Sequence, residues 1–197
     1  MTKALISALA ALALLTGCGA PAADTPGEPP LAGAAIGGPF ELVNSSGETV
    51  RWSDFDGKYR IIYFGYAYCP DVCPFDVQRM MQGYETVKTE NPALAADIVP
   101  LFVTVDPERD TPAVIGEFTS AFSDDLIGLT GTPEQVAAAA NAFAVFFSKG
   151  DPNEAGGYLM DHSRGAYLMD REGKPLALLP VEASSEGVAA EIQKWAG

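Results

Sequence analysis

The chain has 197 residues, 48% hydrophobic and 19% charged, enough for one domain with a core of its own plus extra segments at the ends. Its formal net charge of −14 repels nucleic acid and anionic lipid headgroups, and excludes both as ligands of the folded part. Three cysteines and a single histidine make an odd thiol count that asks for an explanation.

The N-terminus supplies one. Residues 1–17 carry Lys3 and then an apolar run from Ala4 to Leu15, too short for the ~20 residues of a membrane span, which reads as a secretory signal. The run ends in Leu15-Thr16-Gly17-Cys18, which resembles a bacterial lipobox, so Cys18 is expected to be lipidated and to anchor the exported chain to a bacterial membrane. Residues 18–38 are then the lipidated cysteine and a flexible Gly-, Ala- and Pro-rich linker, and residues 39–197 form one domain outside the cytoplasm.

In that domain strand and helix signals alternate. Phe40–Val43 and Thr49–Trp52 flank Asn44-Ser45-Ser46-Gly47, which predicts an N-terminal β-hairpin. The β-branched and aromatic run Arg60–Tyr66 predicts a buried central strand. A helix follows from Phe75 to about Thr89, with Pro74 placed to start it. Ile98–Val105 is a second buried strand, Thr111–Phe122 a helix, Leu126–Thr130 a third strand, and Thr132-Pro133-Glu134-Gln135 caps a helix through about Ala142. Gly165–Asp170 and Pro175–Leu179 read as a hairpin, and Ser184-Ser185 open an amphipathic helix that ends near Trp195. This order predicts an α/β domain of thioredoxin-like fold, a mixed central sheet flanked by helices.

With Cys18 assigned to the anchor, Cys69 and Cys73 remain as a unit in Cys69-Pro70-Asp71-Val72-Cys73-Pro74. Strand, loop and helix place them at the C-terminal end of a central strand, where open α/β sheets hold their ligands. The start of the helix favours thiolate over thiol. The flanking prolines and Asp71 predict an exposed loop, and a helical i, i+4 spacing would bring both sulfurs to one face. Such a pair suits either dithiol–disulfide cycling or a soft metal. Redox thioredoxins have two residues between their cysteines, and here there are three. His162, in Met160-Asp161-His162-Ser163-Arg164 just before a strand, falls in the loop that a thioredoxin-like fold lays against the cysteines. Two thiolates and one imidazole suit copper in either oxidation state, with Asp161 or Ser163 placed to orient the ring. A closed structural zinc site would want four ligands, and the domain offers three of these types.

Three motifs in order carry a resemblance over most of residues 39–197: Tyr68-Cys69-Pro70-Asp71-Val72-Cys73-Pro74, Val105-Asp106-Pro107-Glu108-Arg109-Asp110-Thr111-Pro112, and Asp161-His162-Ser163 followed by Tyr167-Leu168-Met169-Asp170. The chain resembles the Sco/SenC family of copper-binding assembly factors. The resemblance implies a thioredoxin-like fold, copper as Cu(I) or Cu(II) on Cys69, Cys73 and His162, and delivery of that copper to the binuclear copper site of a cytochrome c oxidase subunit. The alternative it carries is a thiol–disulfide oxidoreductase in which Cys69 and Cys73 reduce the cysteines of that site. A thiol peroxidase is remote, since residues 63–69 lack the Pro-x-x-x-Thr-x-x-Cys setting. Ala67 stands where many relatives have threonine, and the anchor is a lipidated cysteine in place of a transmembrane helix. The acids of Val105–Pro112 are read as structural or partner-facing, and Tyr63, Phe64, Tyr66 and Tyr68 as packing.

Overall fold

The computed structural model describes residues 27–153 and 156–197; the expected signal segment and Cys18 lie outside the described residues. In chain order the elements are β1 (Glu41–Asn44), β2 (Thr49–Arg51), a 3-10 turn (Trp52–Phe55), β3 (Tyr59–Gly65), α1 (Val72–Glu90), α2 (Pro92–Ala95), β4 (Ile98–Thr104), α3 (Pro112–Ser120), β5 (Ile127–Thr130), α4 (Pro133–Ala142), β6 (Phe147–Lys149), β7 (Met160–His162), β8 (Ala166–Met169), β9 (Pro175–Leu179) and α5 (Ser185–Ala196).

Seven strands form one mixed sheet in the order β2-β1-β5-β4-β3-β8-β9. The β5-β4-β3 centre is parallel and both flanks are antiparallel, which is the mixed sheet of a thioredoxin-like fold. The predicted hairpin is present as β1–β2, with Gly47 at φ +78° in its turn, where a side chain would be strained. The central strands are buried because helices cover both faces. Phe102 of β4 stacks on Tyr63 of β3 (6.1 Å) and meets Phe118 of α3 (4.9 Å), so α3 lies on the face that α1 also covers. Phe143, just after α4, packs on Phe64 from the other face (5.4 Å). Gly83 of α1 allows the close approach of α5, since a Cβ there would meet Val188 at 2.5 Å. Arg60 is fully buried in β3; its terminal nitrogens donate to the carbonyls of Asp170 and Arg171 and to Asp56, while its Nε has no hydrogen-bond partner.

The predicted caps are made. Thr111, Thr132 and Ser184 accept from the backbone N–H groups of Val114, Gln135 and Gly187, and Thr132 with Gln135 forms a capping box. Other boundaries move. Helix α1 begins at Val72, three residues before the predicted start, so Pro74 sits inside its first turn, where no intrahelical N–H is needed. The predicted linker is docked at its C-terminal end: Leu31 N–H donates to the Leu176 carbonyl (3.0 Å) and Gly37 N–H to the Ala142 carbonyl (2.8 Å). The 3-10 turn, the short α2 and the ribbon β6–β7, which forms a separate two-stranded sheet, were not foreseen. Among the described residues no helix is long and apolar enough to cross a membrane.

Candidate metal centre

Strand β3 delivers the chain at Gly65 into a tight turn that ends in α1. Asp110 fixes that turn: its Oδ2 accepts from the Ala67 N–H (2.9 Å) and from the Thr104 hydroxyl (2.6 Å). Residue 67 thus engages through its backbone, which is indifferent to alanine or threonine there. The Cys69 N–H closes the turn onto the Tyr66 carbonyl (3.3 Å).

Cys69 lies in this turn, half-buried, and Cys73 lies in the first turn of α1, fully buried. The expectation of an exposed cysteine loop therefore holds for Pro70 and Asp71 but fails for Cys73, because α1 starts early and turns that side chain under the helix. The sulfurs approach through the turn and not along one helical face: the Cys73 N–H donates to Cys69 Sγ at 3.4 Å. Both thiols are free.

His162 is the last residue of β7 and not part of a loop. Ribbon pairing sets Phe147 opposite His162, and places the imidazole over Cys73 with Nε2 3.2 Å from Sγ. Nδ1 lies 2.8 Å from the carbonyl oxygen of Ser163. A carbonyl only accepts, so Nδ1 carries a proton there, which leaves Nε2 as the nitrogen that faces the sulfurs and through which the ring would bind a metal. The orienting group is thus a backbone carbonyl; neither the Asp161 nor the Ser163 side chain does it. The Ser163 hydroxyl instead accepts from the Phe146 N–H (3.0 Å). Tyr63 and Tyr66 wall the imidazole edge-on, with ring centroids at 6.4 and 6.0 Å. Burial pushes the Tyr66 phenol up to about 12. Tyr68, by contrast, is exposed.

The two cysteines divide their protons unequally. Hydrogen bonding from the Cys73 thiol holds Cys69 down at about 3 against burial, with His162 and the Cys73 and Asp71 backbone groups adding to the effect. The same hydrogen bond, with burial, pushes Cys73 up. The opposite directions of the two shifts favour the thiolate at Cys69 and the thiol at Cys73.

An ion pair that sequence reasoning missed lies beneath the site. Asp76, fully buried on α1, takes Arg164 Nε and Nη2 on its two oxygens at 2.6 Å each, and the Tyr63 hydroxyl at 3.1 Å. Its residues are 88 apart in sequence, and no periodicity announces such a contact. The Val105–Pro112 segment also turns inward. Asp106 pairs with Arg109 (2.5 Å) and accepts from the Tyr158 hydroxyl (2.9 Å), while the Arg109 guanidinium lies 3.6 Å from the Tyr158 ring centroid and 5.2 Å from that of Tyr68. The segment thus ties the chain before β7 to the cysteine turn.

Two sulfurs and one imidazole nitrogen form a soft-to-borderline donor set that fits a thiophilic ion. Among the described residues no three Cys, His, Asp or Glu side chains are already closed around a metal-sized point. Cys73 contacts both of the other groups, and an ion would replace the proton that the thiols share.

A thioredoxin-like domain with paired thiols at the sheet's carboxyl edge and an imidazole against them defines a thiol-based redox or metal-handling protein. The comparisons narrow this. The sequence model of the SCO1/SenC family matches residues 28–197, and the chain belongs to that family. It is 42% identical over 164 residues to protein SenC of Rhodobacter capsulatus, covering 82% of this chain and 71% of that protein. It is 39% identical over 173 residues to the mitochondrial SCO1 homolog 1 of Arabidopsis thaliana, covering 85% of this chain and 51% of the relative, so the match spans about half of that longer protein. The solved structure of Bradyrhizobium japonicum ScoI with copper bound superposes with a TM-score of 0.70 at 35% identity, over 82% of this chain and 99% of that one.

Proposed function

We propose that this chain is an exported copper carrier, tethered to a bacterial membrane through Cys18, that holds one copper ion on Cys69, Cys73 and His162 and passes it to the binuclear copper site of a cytochrome c oxidase subunit. The observation that carries the reading is the 3.2 Å approach of His162 Nε2 to Cys73 Sγ, with Nδ1 already committed to a carbonyl. A relative solved with copper bound supports the choice of metal. The copper is cargo, and this chain's residues provide its berth. Cys69 is shifted toward the thiolate, Cys73 would give up its proton on loading, and Tyr63 and Tyr66 stand edge-on against the imidazole. Cys73 is fully buried, so release needs an acceptor whose own donors reach the ion at the exposed Pro70–Asp71 edge.

A second reading has its own observation in the thiolate–thiol pair. Cys69 would attack a partner disulfide to give a mixed disulfide. Cys73 would then displace the partner's thiolate, leaving Cys69–Cys73 oxidised and the partner reduced by two electrons.

Copper titration of the metal-free reduced protein and of His162→Ala separates the two. The copper reading expects one Cu(II) per chain with a thiolate-to-Cu(II) charge-transfer band. It also expects His162→Ala to lose more than about 100-fold in Cu(II) affinity, beyond the 10–100-fold typical for an outer partner of a ligand, while staying folded. Unchanged Cu(II) affinity in that variant sinks the assignment. Disulfide reduction that survives in His162→Ala and ignores copper would favour the second reading.

A further inference from the structure

We propose that the ion pair between the buried Asp76 carboxylate and the solvent-edge Arg164 guanidinium is a positioning brace that holds the His162 imidazole over the cysteines, and that it thereby supports copper(II) at this site far more than copper(I). The inference rests on the assignment of Cys69, Cys73 and His162 as the copper donors, and deepens it.

The brace joins the two segments that must meet. Asp76 follows Cys73 by three residues on α1, so both side chains leave the same face of the helix. Arg164 follows His162 by two residues in the link from β7 to β8. The guanidinium meets the carboxylate in a two-bonded fork at 2.6 Å on each oxygen, which fixes orientation as well as distance. Tyr63 adds a third contact, donating its hydroxyl to Asp76 while its ring stands edge-on to His162. One fully buried carboxylate thus ties β3, α1 and the histidine segment together.

Apart from the His162–Cys73 approach that it supports, this fork is the direct side-chain tie between that segment and α1 among the described residues. His162 sits on a ribbon of two three-residue strands, and a two-stranded ribbon is marginal by itself. Ser163 binds that ribbon to itself through the Phe146 backbone. It does not bind it to α1. The other cation near Asp76 is Arg79, at 4.0 Å, beyond hydrogen-bond reach. The Asp76 carboxylate is fully buried while the Arg164 guanidinium reaches it from the solvent edge, so the fork both satisfies the buried charge and fixes where the histidine segment lies.

The redox selectivity follows from donor chemistry. Copper(I) is satisfied by two soft thiolates, and Cys69 and Cys73 share one short segment whose geometry the turn and α1 set. Copper(II) gains from imidazole, and the imidazole arrives only through the β7–β8 link. Loosening the brace should leave the thiolate pair and detach the nitrogen.

The test uses the metal-free reduced protein and the double variant Asp76→Ala/Arg164→Ala, which removes both halves so that no carboxylate is stranded in the core. Arg164→Lys is the conservative partner: it keeps the charge and loses the fork. The expected result is a folded double variant with Cu(I) affinity within about threefold of wild type, Cu(II) affinity lowered about 10–100-fold, and a weakened charge-transfer band, with Arg164→Lys in between. In the metal-free proteins the His162 ring resonances should be sharp in wild type and broadened or doubled in the double variant. Wild-type Cu(II) affinity and unchanged ring resonances in the double variant overturn the brace while leaving the donor assignment standing. Equal losses of Cu(I) and Cu(II) reduce the pair to a merely structural role and overturn it too. Failure of the wild type itself to bind Cu(II) removes the donor assignment and this inference with it.

Discussion

The proton arrangement at the cysteines makes a kinetic prediction that needs no metal. Cys69 is held at about 3, so at pH 5 it is already almost entirely thiolate. An ordinary cysteine, with pKa about 8.5, is only about 0.03% thiolate at that pH. Lower basicity also lowers intrinsic nucleophilicity, with a Brønsted slope of about 0.4–0.5, so the depressed value costs Cys69 about 300-fold per thiolate. The two effects set the profile. Against an unstructured thiol peptide, Cys69 should attack a small disulfide about tenfold faster at pH 5, equally near pH 6, and about 100-fold slower at pH 8.5. These ratios hold at equal access; the partial burial of Cys69 lowers its rates by a common factor, which moves the crossover but leaves the shape of its pH profile unchanged. The assay is release of thiopyridone from 2,2′-dithiodipyridine by the metal-free reduced protein between pH 4.5 and 9, followed by absorbance. The profile should be nearly flat. Cys73→Ala removes the largest cause of the depression and should restore a rising limb. A wild-type rate that climbs about tenfold per pH unit from 5 to 8 would refute the thiolate assignment.

Three further outcomes follow from the same geometry. A Cβ at Gly65 would lie 2.7 Å from Tyr63 Cε1 and 3.2 Å from Cys73 Sγ, so Gly65→Ala should cost about 1–3 kcal/mol in urea unfolding and weaken copper binding by displacing Cys73. Replacing Arg109 with leucine strands the buried Asp106 and empties the stack on Tyr158; it should cost about 3 kcal/mol and speed proteolytic cleavage between residues 150 and 159. Stability of the reduced, metal-free protein should rise with pH toward about 8 and fall above about 9. Cys69 is depressed in the folded state, so its contribution is complete above its unfolded value and is lost as pH falls toward 3; Cys73 is raised, so its contribution is present below its unfolded value and is lost as pH rises past it. Thermal melts across pH 5–10 check this, and Cys69→Ser/Cys73→Ser should flatten the curve.

The sequence by itself determined the order of the main elements and the identity of the reactive groups. Buried strands such as Ile98–Thr104 declare themselves by β-branched and aromatic runs, and helices α3, α4 and α5 by the Thr111, Thr132 and Ser184 caps, because both signals come from residues close together in the chain. Cys69, Cys73 and His162 stood out because the chain has so few groups of their kind and because the motifs around them resemble a known family.

Tertiary structure decided the rest. The ribbon that carries His162 has three-residue strands, Phe147–Lys149 and Met160–His162, too short for any period to show. The burial of Cys73 depends on where α1 begins relative to Tyr63 and Phe102, and the local composition of prolines and Asp71 pointed the other way. Asp76 and Arg164 carry no local signal of their pairing, and only the fold brings them to 2.6 Å across 88 residues. Local signals can name a thiol or an imidazole; the distances between them, and the proton each one holds, arise only when segments far apart in the chain are packed together and dried.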